Sequence, residues 1–367
     1  MAGLDQERLS RFQRLLLDHG LDCYIACTPI SMGYLASFFE GGGERMLLMA
    51  IRPEGSPAII APALSATHAS HTGVADIRTW SDGDDAGELF EQLGVEWGLR
   101  TAVIGVDDEL IAAHLLRMQQ ALPAALFKAA GDVMAELRKR KDSREIGLMR
   151  KAAQIADAAW DAFLQNARPG VTEAECETLV RAAMQSGGGT PTFCIVAAGP
   201  NGAEPHHATS KTAMKEGDVV VVDWGCSVEN YLSDITRTAC VGRASSEAKK
   251  VYDVVYRAHM AARDAIRPGV PCEAIDRAAR AVIEEAGFGQ YFVHRTGHGI
   301  GMMGHEPPHI VRGSTSPLEV GQCFSVEPGI YIPGQFGVRI ENIVTVTDTG
   351  HESLNMEPPS TLPEIPN

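Results

Sequence analysis

Residues 219–238 read VVVVDWGCSVENYLSDITRT. The four valines and the later ITRT run are β-prone, and S-V-E-N between them is turn-forming, so the stretch predicts a β-hairpin. Asp223 ends the valine run, and Asp234 sits at the head of the second strand. With a loop over Ser227 to Asn230, Cys226 pairs with Tyr231 and Asp223 with Asp234, which sets the two carboxylates opposite each other on one face. Two such groups repel, and burial adds to the cost. A divalent cation removes both difficulties. The competing explanation is a buried salt bridge, with Arg237 and Arg339 as the available partners.

The same pattern occurs twice. RPGVTEAECETLVRAAMQSGG from Arg168 resembles RPGVPCEAIDRAARAVIEEAG from Arg267, an offset of 99 residues that also carries His206 onto His305. VVDWG around Asp223 has its counterpart in SVEPG around Glu327, and Asp234 is answered by Glu341. Each half reads helix, helix, loop with a histidine, then a hairpin bearing two acids, and the duplication predicts a pseudo-two-fold domain with four carboxylates at its middle. Salt bridges explain one acidic hairpin; two related by a repeat favour the cation.

A nitrogen ligand is expected from YFVHRTGHGIGMMGHEPPHIV, which offers His294, His298, His305 and His309. His294-x-x-x-His298 has the spacing of a zinc-protease helix, but the glutamate is missing and Gly297 and Gly299 break a helix. Gly299, Gly301 and Gly304 spell a dinucleotide-loop pattern, but Pro307 and Pro308 stand where a helix has to begin. Neither motif survives its context. The repeat gives His206 and His305 symmetric places beside the centre.

Upstream, QERLSRFQRLLLDHGLDCYIAC reads as an amphipathic helix feeding a strand, RMLLMAIRPEGSPAIIAPA as two strands about a turn, TAVIGVD as a strand and ELIAAHLLRMQQAL as a helix. The charged run ELRKRKDSRE reads as a solvated linker and divides the chain into domains at 1–135 and 136–367. A long helix follows, opened by a capping box of Asp142 and Glu145. Its stripe Ile146, Met149, Ala153, Ala156, Trp160 and Phe163 is core-facing.

With 45% hydrophobic and 22% charged residues the chain is that of an ordinary globular protein, and its formal charge of -15 excludes a nucleic-acid footprint. The start MAGLDQERLS carries acids where an export signal has a basic and then an apolar region. The uncharged run from Cys23 to Phe39 is too short and broken for a membrane span. Eight scattered cysteines without a C-x-x-C pair point to free thiols in a reducing compartment, hence the cytoplasm.

Taken together, DWGCSVENYLSDITRT, HRTGHGIGMMGHEPP, SVEPGIY and GVRIEN resemble the pita-bread metallopeptidase family that includes prolidase, aminopeptidase P and methionine aminopeptidase. The resemblance spans essentially the whole chain, because the first 135 residues look like the extra creatinase-like N-terminal domain of the prolidase and aminopeptidase P branch. The implied fold is α+β, a pita-bread C-terminal domain behind a smaller α/β domain. Carried over by position, the resemblance implies two divalent metal ions: Asp223 on one, His298 and Glu327 on the other, Asp234 and Glu341 bridging. The oxygen-rich set suits Mn²⁺, with Co²⁺, Fe²⁺ or Zn²⁺ as substitutes. It also implies Xaa-Pro peptide cleavage by a metal-bridging hydroxide, with Glu327 as proton shuttle, and His206, His305 and His294 as catalytic groups in contact with substrate. His207 is a further candidate contact. Arg339 is expected to hold a carboxylate of substrate or of the protein itself. Tyr231 and Thr236 are read as support for the hairpin. The modest length leans towards a dipeptidase, and the expected assembly is a homodimer. Alternatives are a creatinase-like hydrolase of a non-peptide amide and a non-catalytic binding module, while a lyase branch of the family has a further Asp where Gly225 stands.

Overall fold

The computed structural model describes residues 3–366. The described residues up to Arg138 form one compact unit, and those from Lys139 onward form another.

The first unit is built on a six-stranded sheet with spatial order Asp76–Trp80, Ala58–Pro62, Leu48–Ile51, Cys23–Ala26, Val103–Val106, Leu126–Ala129. The central Cys23–Ala26 strand is apolar and buried on both faces, as a strand covered by helices must be. It pairs antiparallel with Leu48–Ile51 and parallel with Val103–Val106. Helix Gln6–Asp18 begins on Asp5, whose side chain accepts from the Arg8 N–H, and buries Leu9, Phe12 and Leu16.

In the second unit the repeat is visible in the backbone. Helices Ser143–Asn166 and Glu173–Ser186 precede the strands Thr190–Ala198, Val219–Val228 and Ile235–Val241; helices Ser246–Asp264 and Cys272–Glu285 precede Gly297–Gly299, Glu306–Ile310, Cys323–Val326 and Asn342–Val346. Equivalent loops close with equivalent bonds. The Gly170 N–H donates to Met214 O at 2.9 Å, and the Gly269 N–H, 99 residues on, donates to Leu318 O at 2.8 Å. The first half packs Trp224 between its sheet and the long helix: its ring stacks on Trp160 at 5.5 Å, and its N–H donates to Ala156 O. That helix carries the capping box of Asp142 and Glu145 in full, and buries Met149, Ala153, Ala156, Trp160 and Phe163.

Two expectations are corrected here. The run ELRKRKDSRE is not a solvated linker: its front belongs to helix Gly131–Arg138, Arg138 is buried, and Lys141 places Nζ 2.6 Å from Glu306 Oε1 with both side chains out of solvent. Charge runs read as solvated only while their partners, here 165 residues away, are unseen. The hairpin register also differs. Its turn is the two residues Glu229 and Asn230, both at positive φ (47° and 68°), so Val228 pairs with Tyr231 and Asp223 lies opposite Thr236 rather than Asp234. A two-residue turn with both φ positive matches strand twist, and Asn tolerates that conformation. The slip is by an even number, so Asp223 and Asp234 keep the same face, now as diagonal neighbours.

Candidate metal centre

The second hairpin explains how its acids are presented. Val326 pairs with Asn342 on one side, and Gly329 with Arg339 on the other, so Glu327 and Glu341 face each other at the break between two ladders. Their own N–H groups leave the hairpin: Glu327 donates to Thr296 O at 2.8 Å, and Glu341 to Thr236 O at 3.1 Å. These bonds tie the second hairpin to the first and to the histidine loop. His298 stands on Gly297–Gly299, a strand and not a helix. A Cβ on Gly297 would lie 1.8 Å from Ser325 O, so only glycine lets that strand approach.

The four acids and His298 converge on a cavity of about 520 Å³ that is also lined by Phe193, Ile195, His206, His294, Arg295, His305 and Arg339. Ligand atoms of Asp234, His298 and Glu341 lie within 4.8 Å of one another. His298 Nε2 is 3.3 Å from Glu327 Oε1 and 3.8 Å from Asp234 Oδ2. Its Nδ1 is 3.1 Å from the Gly299 carbonyl, an acceptor only, so Nδ1 carries the proton and Nε2 turns its lone pair towards the acids. Ser325 fixes the neighbouring groups, accepting from the His298 N–H at 3.0 Å and donating to Glu327 Oε1 at 2.9 Å.

The electrostatics are those of a site short of positive charge. Burial first, and then the neighbouring acids, push Asp234 and Glu341 well above the ordinary carboxylate range. Glu327 is pushed up to about 7 by burial against the pull of Arg339. Burial, then the nearby His305, lowers His298 to about 3, which keeps its imidazole neutral. One part of the salt-bridge alternative is realised, since Arg339 lies 2.7 Å from Asp223 Oδ2. Arg237 instead donates to the backbone carbonyls of Thr236, Glu341 and Met356. With only one guanidinium bonded to the four carboxylates, Asp223 Oδ1 and Glu341 Oε1 remain buried without a hydrogen-bond partner. Unsatisfied acceptors of this kind are costly, and hard divalent cations are what such an oxygen-rich set with one imidazole fits.

Each remaining candidate has a definite place. His206 and His305 line the open side of the cavity, and neither ring hydrogen-bonds to protein among the described residues. His294 lines it too, but both its nitrogens are engaged: Nδ1 with Arg295 O at 2.7 Å and Nε2 with the Tyr331 hydroxyl at 2.8 Å. Arg339 lines the cavity, and of the two roles expected of it the hold on the protein's own acid is the one its bonds display. Its donors go to Asp223, to the Thr236 hydroxyl at 3.0 Å and to the Tyr331 hydroxyl at 2.9 Å, so the carboxylate it holds is the protein's own. His207 is not among the residues that line the cavity; its Nε2 lies 3.1 Å from the fully buried Glu173. Thr236 does more than brace the hairpin, because its hydroxyl donates to Glu341 Oε2 at 2.7 Å.

Sequence reading passed over Ser325, Tyr331 and Arg295. The first two look like ordinary strand residues until the fold is known. Arg295 had a signal, as the lone cation within HRTGHGIG. Gly225 also gains a meaning: a Cβ there would lie 2.2 Å from Ser233 O, so the further Asp of the lyase branch has no room.

Known proteins resemble this chain along nearly its whole length. The model of metallopeptidase family M24 matches residues 147–348, and that of the creatinase/prolidase N-terminal domain matches residues 8–140. The chain is 38% identical to Probable dipeptidase PepE of Mycobacterium tuberculosis, over 96% of this chain and 95% of the relative. It is 34% identical to the Xaa-Pro dipeptidase of Lactobacillus delbrueckii subsp. lactis, over 93% and 95%. Among solved structures, recombinant prolidase from Thermococcus sibiricus superposes with a TM-score of 0.94 at 33% identity, covering 99% of this chain and all (100%) of the other.

Proposed function

The chain belongs to metallopeptidase family M24, and we propose that it hydrolyses the Xaa-Pro bond of dipeptides. The observation that carries this reading is the convergence of four carboxylates and one neutral imidazole on a single cavity, with two carboxylate oxygens buried and unpartnered. Similarity to an Xaa-Pro dipeptidase and to a prolidase supports the choice of substrate. A bond to proline has no N–H, so it needs a site built for it.

Asp223, Asp234, His298, Glu327 and Glu341 are the residues to hold two divalent ions, for which Mn²⁺ is our candidate given the oxygen-rich donors. Bound ions supply a nucleophile at neutral pH by lowering the pKa of water, and they polarise the carbonyl. The protein's own groups do the rest. His206 and His305, free to donate from the open side, stabilise the negative charge that develops on the scissile oxygen. Glu327, fixed through Oε1 by Ser325, carries the proton to the leaving proline nitrogen. His294 is held by Tyr331 and Arg295 O and so shapes the wall of the pocket. Phe193 and Ile195 offer an apolar surface for the first residue of the substrate.

No described helix is long and apolar enough to cross a membrane, and all eight cysteines are free, seven of them buried. Free thiols support a reducing compartment, and we place the protein in the cytoplasm as a homodimer acting on small peptides. The test is hydrolysis of Ala-Pro, Ala-Pro-Ala and Ala-Ala by protein stripped with chelator and titrated with Mn²⁺. Mn²⁺-dependent cleavage of Ala-Pro in preference to both others is expected. Equal cleavage of Ala-Ala, or none of Ala-Pro at saturating Mn²⁺, overturns the reading.

A further inference from the structure

Glu341 sits at a break between two ladders, and its place is set from outside its own hairpin. Two residues of the first hairpin hold it. Its N–H donates to Thr236 O at 3.1 Å, its Oε2 accepts from the Thr236 hydroxyl at 2.7 Å, and its carbonyl accepts from Arg237 Nη1. The same Nη1 reaches Thr236 O at 3.1 Å, and Nη2 reaches Met356 O at 2.7 Å. One buried guanidinium thus ties together both hairpins and a segment near the end of the chain. Arg237 is not among the residues that line the cavity, so it acts on the ligand's backbone and not on what the cavity holds.

The segment that holds Arg237 is itself fixed, residue by residue. Asn355 Oδ1 accepts from the Ile343 N–H at 2.9 Å. Met356 donates its N–H to Asp157 Oδ2 at 2.8 Å, and its carbonyl accepts from Asn342 Nδ2 at 3.1 Å as well as from Arg237. Glu357 is paired with Arg263 through two hydrogen bonds of 2.6 Å each. The Met356 side chain is 65% exposed, so main-chain bonding, and not burial of an apolar group, anchors this residue.

Asp157 and Arg237 are both buried, and burying such groups costs desolvation that an apolar core avoids. What a bonded polar network adds is a single arrangement of the elements it joins. The arrangement joined here is the backbone of Glu341, whose Oε1 is buried without a hydrogen-bond partner. A binding constellation has to be held to within about 0.5 Å of its working geometry, and the chain Asp157–Met356–Arg237–Glu341 is a means of holding it.

We propose that Arg237 is a positioning residue of the metal centre: held in place by residues 355–357 and Asp157, it locks the backbone of Glu341, so that a segment carrying no ligand sets the affinity of the site for its ions. The proposal rests on the metal-centre reading above. It is tested by Mn²⁺ binding, in competition with a chelator, to the wild type and to Arg237→Met, Arg237→Lys, Asp157→Asn and Val180→Ala. Val180 is buried in the core and does not line the cavity, so its truncation serves as a control that lowers stability alone. In Arg237→Met, Mn²⁺ affinity falls about 10- to 100-fold, the range for groups that orient metal ligands. Arg237→Lys recovers part of the loss, because an ammonium returns the charge without the planar fork that spans the carbonyls. Asp157→Asn keeps the shape of the side chain and lowers affinity by a smaller factor; it reads the same chain of bonds from its far end should Arg237→Met not fold. Val180→Ala binds Mn²⁺ as the wild type does, at a lowered Tm. Wild-type affinity in Arg237→Met or in Asp157→Asn overturns the proposal, and so does an equal loss in Val180→Ala, where affinity would merely follow stability. A wild type that binds no Mn²⁺ sinks the metal-centre reading and this proposal with it.

Discussion

Arg339 holds one oxygen of Asp223 at 2.7 Å while the other oxygen of the same carboxylate, Oδ1, is buried with no hydrogen-bond partner. The arginine fixes the plane of the carboxylate and leaves a lone pair aimed into the cavity. Its remaining donors reach Thr236, which in turn donates to Glu341, so one guanidinium aligns an acid from each half of the repeat. Groups that orient ligands in this way typically carry about 10- to 100-fold in metal affinity or activity. Arg339→Lys keeps the charge and loses the fork, and we expect Mn²⁺ affinity to fall by about that factor in competition with a chelator. Unchanged affinity contradicts the alignment role.

Metal binding is expected to compete with protons at these acids. In the metal-free protein Asp234 and Glu341 stand well above the ordinary carboxyl range, and Glu327 stands at about 7 against an ordinary 4.5. A carboxyl whose folded pKa is raised binds more protons folded than unfolded, so its contribution to stability declines as pH rises from the unfolded pKa to the folded one. For Glu327 that window runs from 4.5 to about 7. Cations relieve the repulsion that grows across it, so the gain in Tm on adding Mn²⁺ to chelator-treated protein increases from pH 5.5 to pH 7.5. Unfolding scans at the two pH values check this, and a gain independent of pH speaks against carboxylates as the main ligands.

The acidic hairpins were legible because they break a rule: a carboxylate in a run of valines is a cost that the sequence itself exposes. The repeat doubled that signal, and it carried His206 onto His305. The register was harder. Glu229 and Asn230 both take positive φ, a conformation marked more clearly by glycine, so a four-residue loop looked as natural as the two-residue turn. His206 and His207 are adjacent and alike in sequence, yet one lines the cavity and the other turns to Glu173, 34 residues away in the chain. Lys141 looked like part of a solvated run for the same reason. What a polar side chain does is decided by a distant partner, and local pattern carries no trace of it.

Lys141 and Glu306 form an ion pair that excludes solvent from both side chains, and Glu306 follows His305 directly. Breaking such a pair leaves one charge uncompensated and costs about 3–5 kcal/mol, whereas replacing both members with apolar groups of similar volume is often near neutral. Lys141→Met is therefore expected to lower stability by about that amount, and Lys141→Met with Glu306→Leu by clearly less. Denaturant unfolding of the single and double variants gives the comparison. A double variant as unstable as the sum of the singles argues that the two charges do not compensate each other.

His206 and His207 offer a contrast within one dipeptide. Burial pushes Glu173 up, but the Ser210 hydroxyl, the Ala198 N–H and the Asn201 amide together hold it below its ordinary value of 4.5. A carboxyl depressed in the folded state contributes stability that is complete above the unfolded pKa and is lost as pH falls through the folded one. His207 adds a bond to this acid, so His207→Ala should cost about 1.5–3 kcal/mol, the range for hydrogen bonds to charged groups, and leave kcat/KM within about twofold. Glu173→Gln should flatten the loss of stability below pH 4.5, since the titrating group is gone. His206→Ala should do the reverse, leaving stability unaltered while lowering kcat by about 10²–10³, as loss of a donor to a developing oxyanion does. Kinetics and unfolding of the two alanine variants decide the matter together: if His207→Ala loses activity without losing stability, that ring meets the substrate after all, and the contact with Glu173 is not what fixes its role.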